Sequence, residues 1–324
     1  MNKGWMRAAL AMALACGATA ASAADTYPAR PVTIVVPYPA GGATDMVARE
    51  MSQRLGDTWK QPVVVENRAG AGTTIGAGSV ARAKGDGYTL LMTTSAHTIS
   101  GHLYTSLPYD PQKDFRAVTL VTKVPLVLVV SPDLPVKTLA ELQTYLKDKG
   151  KQVNFASPGN GTAQHLSGEL FKIRTQSEIV HVPYRGDAPA ITDLMGGQVQ
   201  MMLATATAVL PMISSGKLRA LAVAHDKRLT ALAEVPTFAE AGMPDFEAAT
   251  WFGLLAPASV DDAITEKIYR DAAAVVGTPA MRKRIEEMGG DVMNSDPKAF
   301  AAFMVEENKK WGDAAKAANV QPQN

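Results

Sequence analysis

The chain has 324 residues, 47% of them hydrophobic and 19% charged, with 26 Gly, 20 Pro, one Cys and a formal net charge of +1. Such a chain can bury one large core or two ordinary ones, and its composition excludes a disordered polymer, a collagen repeat and a disulfide scaffold. Of the 32 Lys and Arg, Lys3 and Arg7 fall in an N-terminal leader, so 30 bases face 31 acids in the rest and no surplus of positive charge remains to recruit nucleic acid.

Residues 1–23 have the three parts of a secretory signal: the bases Lys3 and Arg7, the apolar run Ala8–Ala15, and the small-residue box Ala21-Ser22-Ala23. Cleavage is expected after Ala23, which places the mature protein in the periplasm. The apolar run is shorter than the roughly 20 residues that a bilayer span requires. Cys16 offers a rival reading, a lipoprotein acylated there, although Ala13 stands where that signal wants Leu. Cleavage at Ala23 leaves no cysteine, and disulfide, thiolate and Cys-zinc chemistry leave with it. The five histidines form no H-x-x-x-H pair, so no metal or other cofactor is expected.

Short β-branched runs then alternate with helical patterns, which predicts parallel sheets in an α/β fold. Val32–Val36, Val63–Val65 and Leu90–Met92 read as strands; Met46, Val47, Met51 and Leu55 mark one helix face, and 75–84 suggests another helix. The alternation restarts after Pro125, with strands at Leu126–Val130, Val153–Phe155, Val180–Val182, Met201–Leu203 and Leu221–Ala224, and Leu166, Leu170 and Ile173 on a connecting helix. From Asp261 helix signals dominate, with a weak strand cue at Asp291–Met293. A lone βαβ half needs a cover, so this tail is expected to return to the first unit. The division is therefore 1–23 signal peptide, 24–124 plus 251–324 first lobe, and 125–250 second lobe, with a cleft between lobes linked twice.

Two segments place glycines between a strand end and a helix start. One is Tyr38-Pro39-Ala40-Gly41-Gly42 with Thr44 and Asp45; the other is Ser157 with Gly159-Asn160-Gly161-Thr162. A helix start carries unpaired N–H groups and a partial positive charge, and glycine lets a ligand approach, so each is a candidate anion seat. The same residues also make tight turns, and one seat in each unit is what favours a ligand. Asp45 either satisfies its own helix start or meets a ligand amine. Tyr184, Thr205 and Trp251 are candidate walls for the other half of the cleft. His165 either contacts ligand or caps and packs at its helix start. Ser95 with His97, and Ser157 with His165, keep a secreted hydrolase open, although neither serine has a G-x-S-x-G elbow. Neither phosphate-loop nor dinucleotide spacing is met; Gly70-Ala71-Gly72 lacks the acidic partner.

Longer runs carry a resemblance. Val35-Val36-Pro37-Tyr38-Pro39-Ala40-Gly41-Gly42 with Asp45, Val65-Glu66-Asn67-Arg68, Leu107-Pro108-Tyr109-Asp110-Pro111, Val182-Pro183-Tyr184-Arg185-Gly186, Gly196-Gly197-Gln198-Val199 and Trp251-Phe252-Gly253-Leu254-Leu255-Ala256-Pro257 are similar to the Bug/TctC family of extracytoplasmic solute receptors. The resemblance spans essentially the whole mature chain. It implies a type II periplasmic binding protein, two lobes with mainly parallel sheets and a ligand cleft between them. It implies a non-enzymatic, cofactor-free receptor that captures a small mono- or dicarboxylate and delivers it to the membrane subunits of a tripartite tricarboxylate transporter, working as a monomer. By the same resemblance the 37–45 and 157–162 loops are the jaws, with Ser95, His97, Tyr184 and Gly186 beside them. One departure stands out: Met201-Met202-Leu203-Ala204-Thr205-Ala206-Thr207 replaces the acidic or aromatic stretch usual in the family, which implies a smaller or more apolar far wall. A ligand sensor for a membrane signalling protein is the remaining alternative.

Overall fold

The structure is a computed structural model that describes residues 27–320; the predicted leader, its cleavage site and Cys16 lie outside the described residues. The alternating signals fold into two open sheets. In the first, β1 (Val32–Val36) lies parallel between β2 (Val63–Asn67) and β3 (Thr89–Thr94). In the second, β5 (Asn154–Ser157) lies parallel between β6 (Val180–Pro183) and β7 (Met201–Thr205). The strand β4 (Phe115–Val130) belongs to both. Its residues 115–125 run antiparallel to β9 (Ala249–Pro257), and its residues 126–130 lie antiparallel between β7 and β8 (Arg219–Val223). β9 in turn pairs with β3, and β10 (Asp291–Val292) with β4. The trios β2-β1-β3 and β6-β5-β7 are thus parallel, as expected, while β4, which belongs to both sheets, pairs antiparallel with β7, β8, β9 and β10.

The change of sheet falls at Pro125, which registers with Ala249, whereas Leu126 registers with Thr205. Proline has no N–H to give to a ladder and so suits the point where one ladder ends.

Ten helices cover the sheets: α1 (Ala43–Trp59), α2 (Thr74–Ala81), α3 (Ala96–Leu103), α4 (Leu139–Lys149), α5 (Ala163–Thr175), α6 (Asp187–Met195), α7 (Ala206–Ser214), α8 (Asp262–Gly277), α9 (Pro279–Glu287) and α10 (Pro297–Ala317) among the described residues. In α1 the i, i+4 series Val47, Met51, Leu55 is buried in the same core cluster as Val32, Ile34 and Val36 of β1. Each such side chain contributes roughly 1.5–3 kcal/mol through burial. In α5 the expected face is rotated: Phe171 is buried, whereas Ile173 is 49% exposed. In the tail, α8 packs against α1 and β4. The last helix, α10, also reaches the second lobe, packing on β4, α3 and α5. There Ile99, Leu103, Ala163, Leu166, Trp311 and Ala315 form one buried cluster that joins the lobes behind the cleft.

Candidate functional site

Two strand-to-helix corners face each other across the lobes. In the first, β1 ends at Val36 and α1 starts after Gly42, which offers its helix no side-chain cap. Gly41 sits at φ +87°, a conformation that side chains disfavour, and a Cβ there would meet nothing within 4 Å. Its N–H donates to Asp45 Oδ2 at 3.0 Å, and the same carboxylate accepts Arg49 Nε at 2.8 Å and Asn67 Nδ2 at 3.0 Å. Burial alone would raise the Asp45 carboxyl, but those bonds from Arg49, Gly41 and Asn67 outweigh it and hold the group below the usual range. Asp45 therefore braces the loop. With these three donors its carboxylate is engaged inside the loop, the first of the two roles expected of it rather than the binding of a ligand amine.

In the second corner, β5 ends at Ser157 and α5 starts after Thr162, whose hydroxyl accepts the His165 N–H at 3.2 Å. Gly159 N–H donates to Ser157 Oγ at 3.2 Å, and Gly161 N–H to His165 Nδ1 at 3.3 Å. Gly161 has φ +76°, and its Cβ would face Leu103 of the opposite lobe at 3.3 Å. A side chain there would strain the turn and press on α3.

Between the corners lies a cleft of about 820 Å³, lined by Tyr38 and Pro39 on one side, Pro158 to Asn160 and Thr162 on the other, and Tyr184 with Arg185 at the edge. Tyr38 and Pro158 also line a deeper chamber with Thr44, Thr94, Gln164, Thr205, Thr250 and Phe252, where only about 10 Å³ is free. That is room for about one water molecule. The lobes are closed.

What closes the chamber is Asp187, the first residue of α6 and not among the residues expected at the site. Its Oδ2 accepts the Ala43 N–H of α1, from the other lobe and 144 residues away, at 3.3 Å. A Cβ on Gly42 would lie 3.2 Å from the same oxygen. The chain thus supplies the missing cap of α1 with its own carboxylate, in the seat expected for a ligand. Burial pushes the Asp187 carboxyl up to about 6, and the bond from Ala43 offsets only part of that. The run Tyr184-Arg185-Gly186-Asp187 held a signal, a carboxylate directly after a glycine and at a helix start, but only the closed fold shows which helix it caps.

The remaining expected residues separate. Gly186 meets Pro39 across the lobes, where a Cβ would lie 2.9 Å from the proline ring. Tyr184 lines the cleft with its hydroxyl donating to Asp193 Oδ2 at 2.7 Å; Gln164 Nε2 donates to Thr205 Oγ1 at 2.8 Å inside the chamber. Ala40 belongs to the first loop and Asn160 lines the cleft from the second.

Four others are corrected. Trp251 is 1% exposed, stacks edge-on to Phe300 and Phe303, and donates Nε1–H to Glu307 at 3.1 Å, so it is a core residue. His97 points at Pro111, whose carbonyl lies 2.8 Å from Nε2, and packs edge-on against Phe115, away from the cleft. Ser95 is buried with its hydroxyl on Thr250 Oγ1 at 3.0 Å. His165 stacks on His181 with ring centroids 4.0 Å apart, a packing role.

A Ser–His pair does occur, but it is Ser157 with His181, 2.7 Å apart, and not Ser157 with His165. Ser157 is fully buried. Burial, with the neighbouring His165 and Lys172, pulls His181 down to about 3, which makes it a weak general base at neutral pH.

Two α/β lobes joined by crossing strands, closed on a cleft with a helix start on either side, define a solute-binding receptor of the periplasmic kind. The chain belongs to the TctC family, described as the tripartite tricarboxylate transporter family receptor, whose pattern it matches over residues 46–320. It is 38% identical to Protein BugT of Bordetella pertussis over 307 residues, 94% of each chain. Among solved structures it is similar to the periplasmic binding protein BugD, at 35% identity and a TM-score of 0.88 over 92% of this chain and 100% of that one. It is equally similar to Rpa4515 of R. palustris with adipate, at 35% identity and a TM-score of 0.89 over 92% and 100% of the two chains.

Proposed function

We propose that this protein is a periplasmic receptor that closes its lobes, 24–124 with 251–324 and 125–250, on a small carboxylate and presents the closed form to a tripartite transporter. The observation that carries the reading is the Ala43–Asp187 contact: a helix start without a cap of its own, at the cleft, already holds a carboxylate oxygen at 3.3 Å. Charge-assisted bonds of this kind are worth roughly 1.5–3 kcal/mol each. The candidate contact residues are Tyr38, Pro39, Pro158 to Asn160, Thr162, Tyr184 and Arg185 on the cleft and Thr205 in the chamber. The adipate held by Rpa4515 supports the ligand class. Among the described residues no helix is long and apolar enough to cross a membrane, in keeping with a protein that meets its transporter from outside.

Native mass spectrometry of protein purified from the periplasm tests this. A co-purified organic acid, lost on mild denaturation, is the expected result; a co-purified neutral sugar or metal complex would replace the reading.

A further inference from the structure

The chamber carries one negative charge and nothing to balance it. Asp187 is 8% exposed, and while its Oδ2 takes the Ala43 N–H, its Oδ1 is buried with no hydrogen-bond partner. Most of the other polar side chains around it have partners: Tyr38 pairs with Thr94, Gln164 with Thr205, and Thr250 with Ser95. No Lys or Arg lines the chamber among the described residues, and Arg185 lines the wider cleft but not the chamber. A buried carboxylate oxygen without a donor is costly, and it is rarely left so.

From this we infer that the ligand's inner end is a hydrogen-bond donor without negative charge, an ammonium or amide N–H, received by Asp187 Oδ1, while its carboxylate lies outward against the 157–162 loop and Arg185. The inference rests on the carboxylate reading above and narrows it. The charges of the cleft have one polarity, Arg185 at the edge and Asp187 within. A ligand with an anionic end and a donor end matches that order. A dicarboxylate does not, because its second carboxylate would face Asp187 where little water remains to screen the repulsion. Asp187 and Ala43 belong to different lobes, so opening the cleft separates them and lets the donor enter before the lobes close.

The test is calorimetry with 5-aminopentanoate, glutaramate, glutarate, pentanoate and pentylamine, together with their homologues of three to seven carbons, on the wild-type protein and on Asp187→Asn. The first two should bind the wild type about tenfold or more tighter than glutarate of matched length, the value of one charge-assisted bond kept or lost. Asp187→Asn should reduce that preference by a similar factor. Glutarate binding the wild type as tightly as 5-aminopentanoate would overturn the inference and leave the carboxylate reading standing. Pentylamine binding as tightly as 5-aminopentanoate would overturn the carboxylate reading and leave the donor site standing. If the variant fails to fold, the wild-type ranking alone decides.

Discussion

The indole N–H of Trp251 donates to the buried carboxylate of Glu307 at 3.1 Å, joining the crossing strand β9 to the last helix, α10. Glu307 also accepts the Trp311 N–H at 2.6 Å, and Trp311 packs in the cluster shared by α3 and α5. One acid thus fastens the back of both lobes, with Lys310 3.5 Å away to balance its charge. Its removal leaves two buried indole donors unpaired. Glu307→Ala should lower stability by about 2–4 kcal/mol in urea unfolding. Trp251→Phe should cost stability too, yet leave the ranking of ligands unchanged, as expected of a residue that does not line the cleft. A changed ranking would return Trp251 to the pocket.

Adjacent glycines at the first corner should respond differently to substitution. Gly41→Ala adds a methyl group to open space at φ +87° and should cost about 1–2 kcal/mol of stability, with affinity little changed. Gly42 has an ordinary φ of −85°, so Gly42→Val should fold. Its branches would, however, press on Asp187 Oδ2, 3.2 Å from the Cβ, and hold the lobes apart. Melting curves and calorimetry on the pair should show a destabilised binder and a folded non-binder.

Asp187 and the buried histidines give opposite pH dependences. Burial lowers His97 to about 4, His165 to about 4 and His181 to about 3. Their contribution is full above pH 6.5 and is lost as pH falls towards 4, because the unfolded chain takes up those protons first. Asp187, raised to about 6 from 3.8, contributes in the other sense: stability present at low pH is lost as pH rises through 6. Between pH 6 and 4 the protonation of Asp187 in the folded state offsets one of the histidine protons. Asp187→Asn should therefore stabilise the empty protein at pH 7 by about 2–3 kcal/mol and steepen its loss of stability below pH 6 by up to about 1.4 kcal/mol per pH unit. Urea midpoints of both proteins at pH 7, 6 and 5 measure the difference.

Period and turn chemistry made the parallel strands legible: Val32–Val36 reads as a strand and is one, and the i, i+4 face of α1 is buried as its spacing requires. Residues 115–124 and 249–257 carry no strand signal of that kind. Both are nearly continuous buried runs interrupted by Thr, Lys or Gly, because they pair on both sides and cross between lobes, so neither alternates. At the site the glycine corners were visible in the sequence, being local. The partners were not: Asp187 reaches Ala43 across 144 residues, and Ser157 finds His181 instead of the nearer His165. Trp251 looked like a wall because it begins an aromatic motif at a crossover; the acid that fixes it lies on a helix 56 residues later.

Calorimetry of matched pairs, each small carboxylic acid against its methyl ester, tests the central claim most directly. Backbone N–H groups at a helix start favour a charged acceptor, and a carboxylate should gain about 1.5–3 kcal/mol over the neutral ester there. Acids that bind should do so at least about tenfold tighter than their esters. Esters binding as tightly as the acids would contradict it.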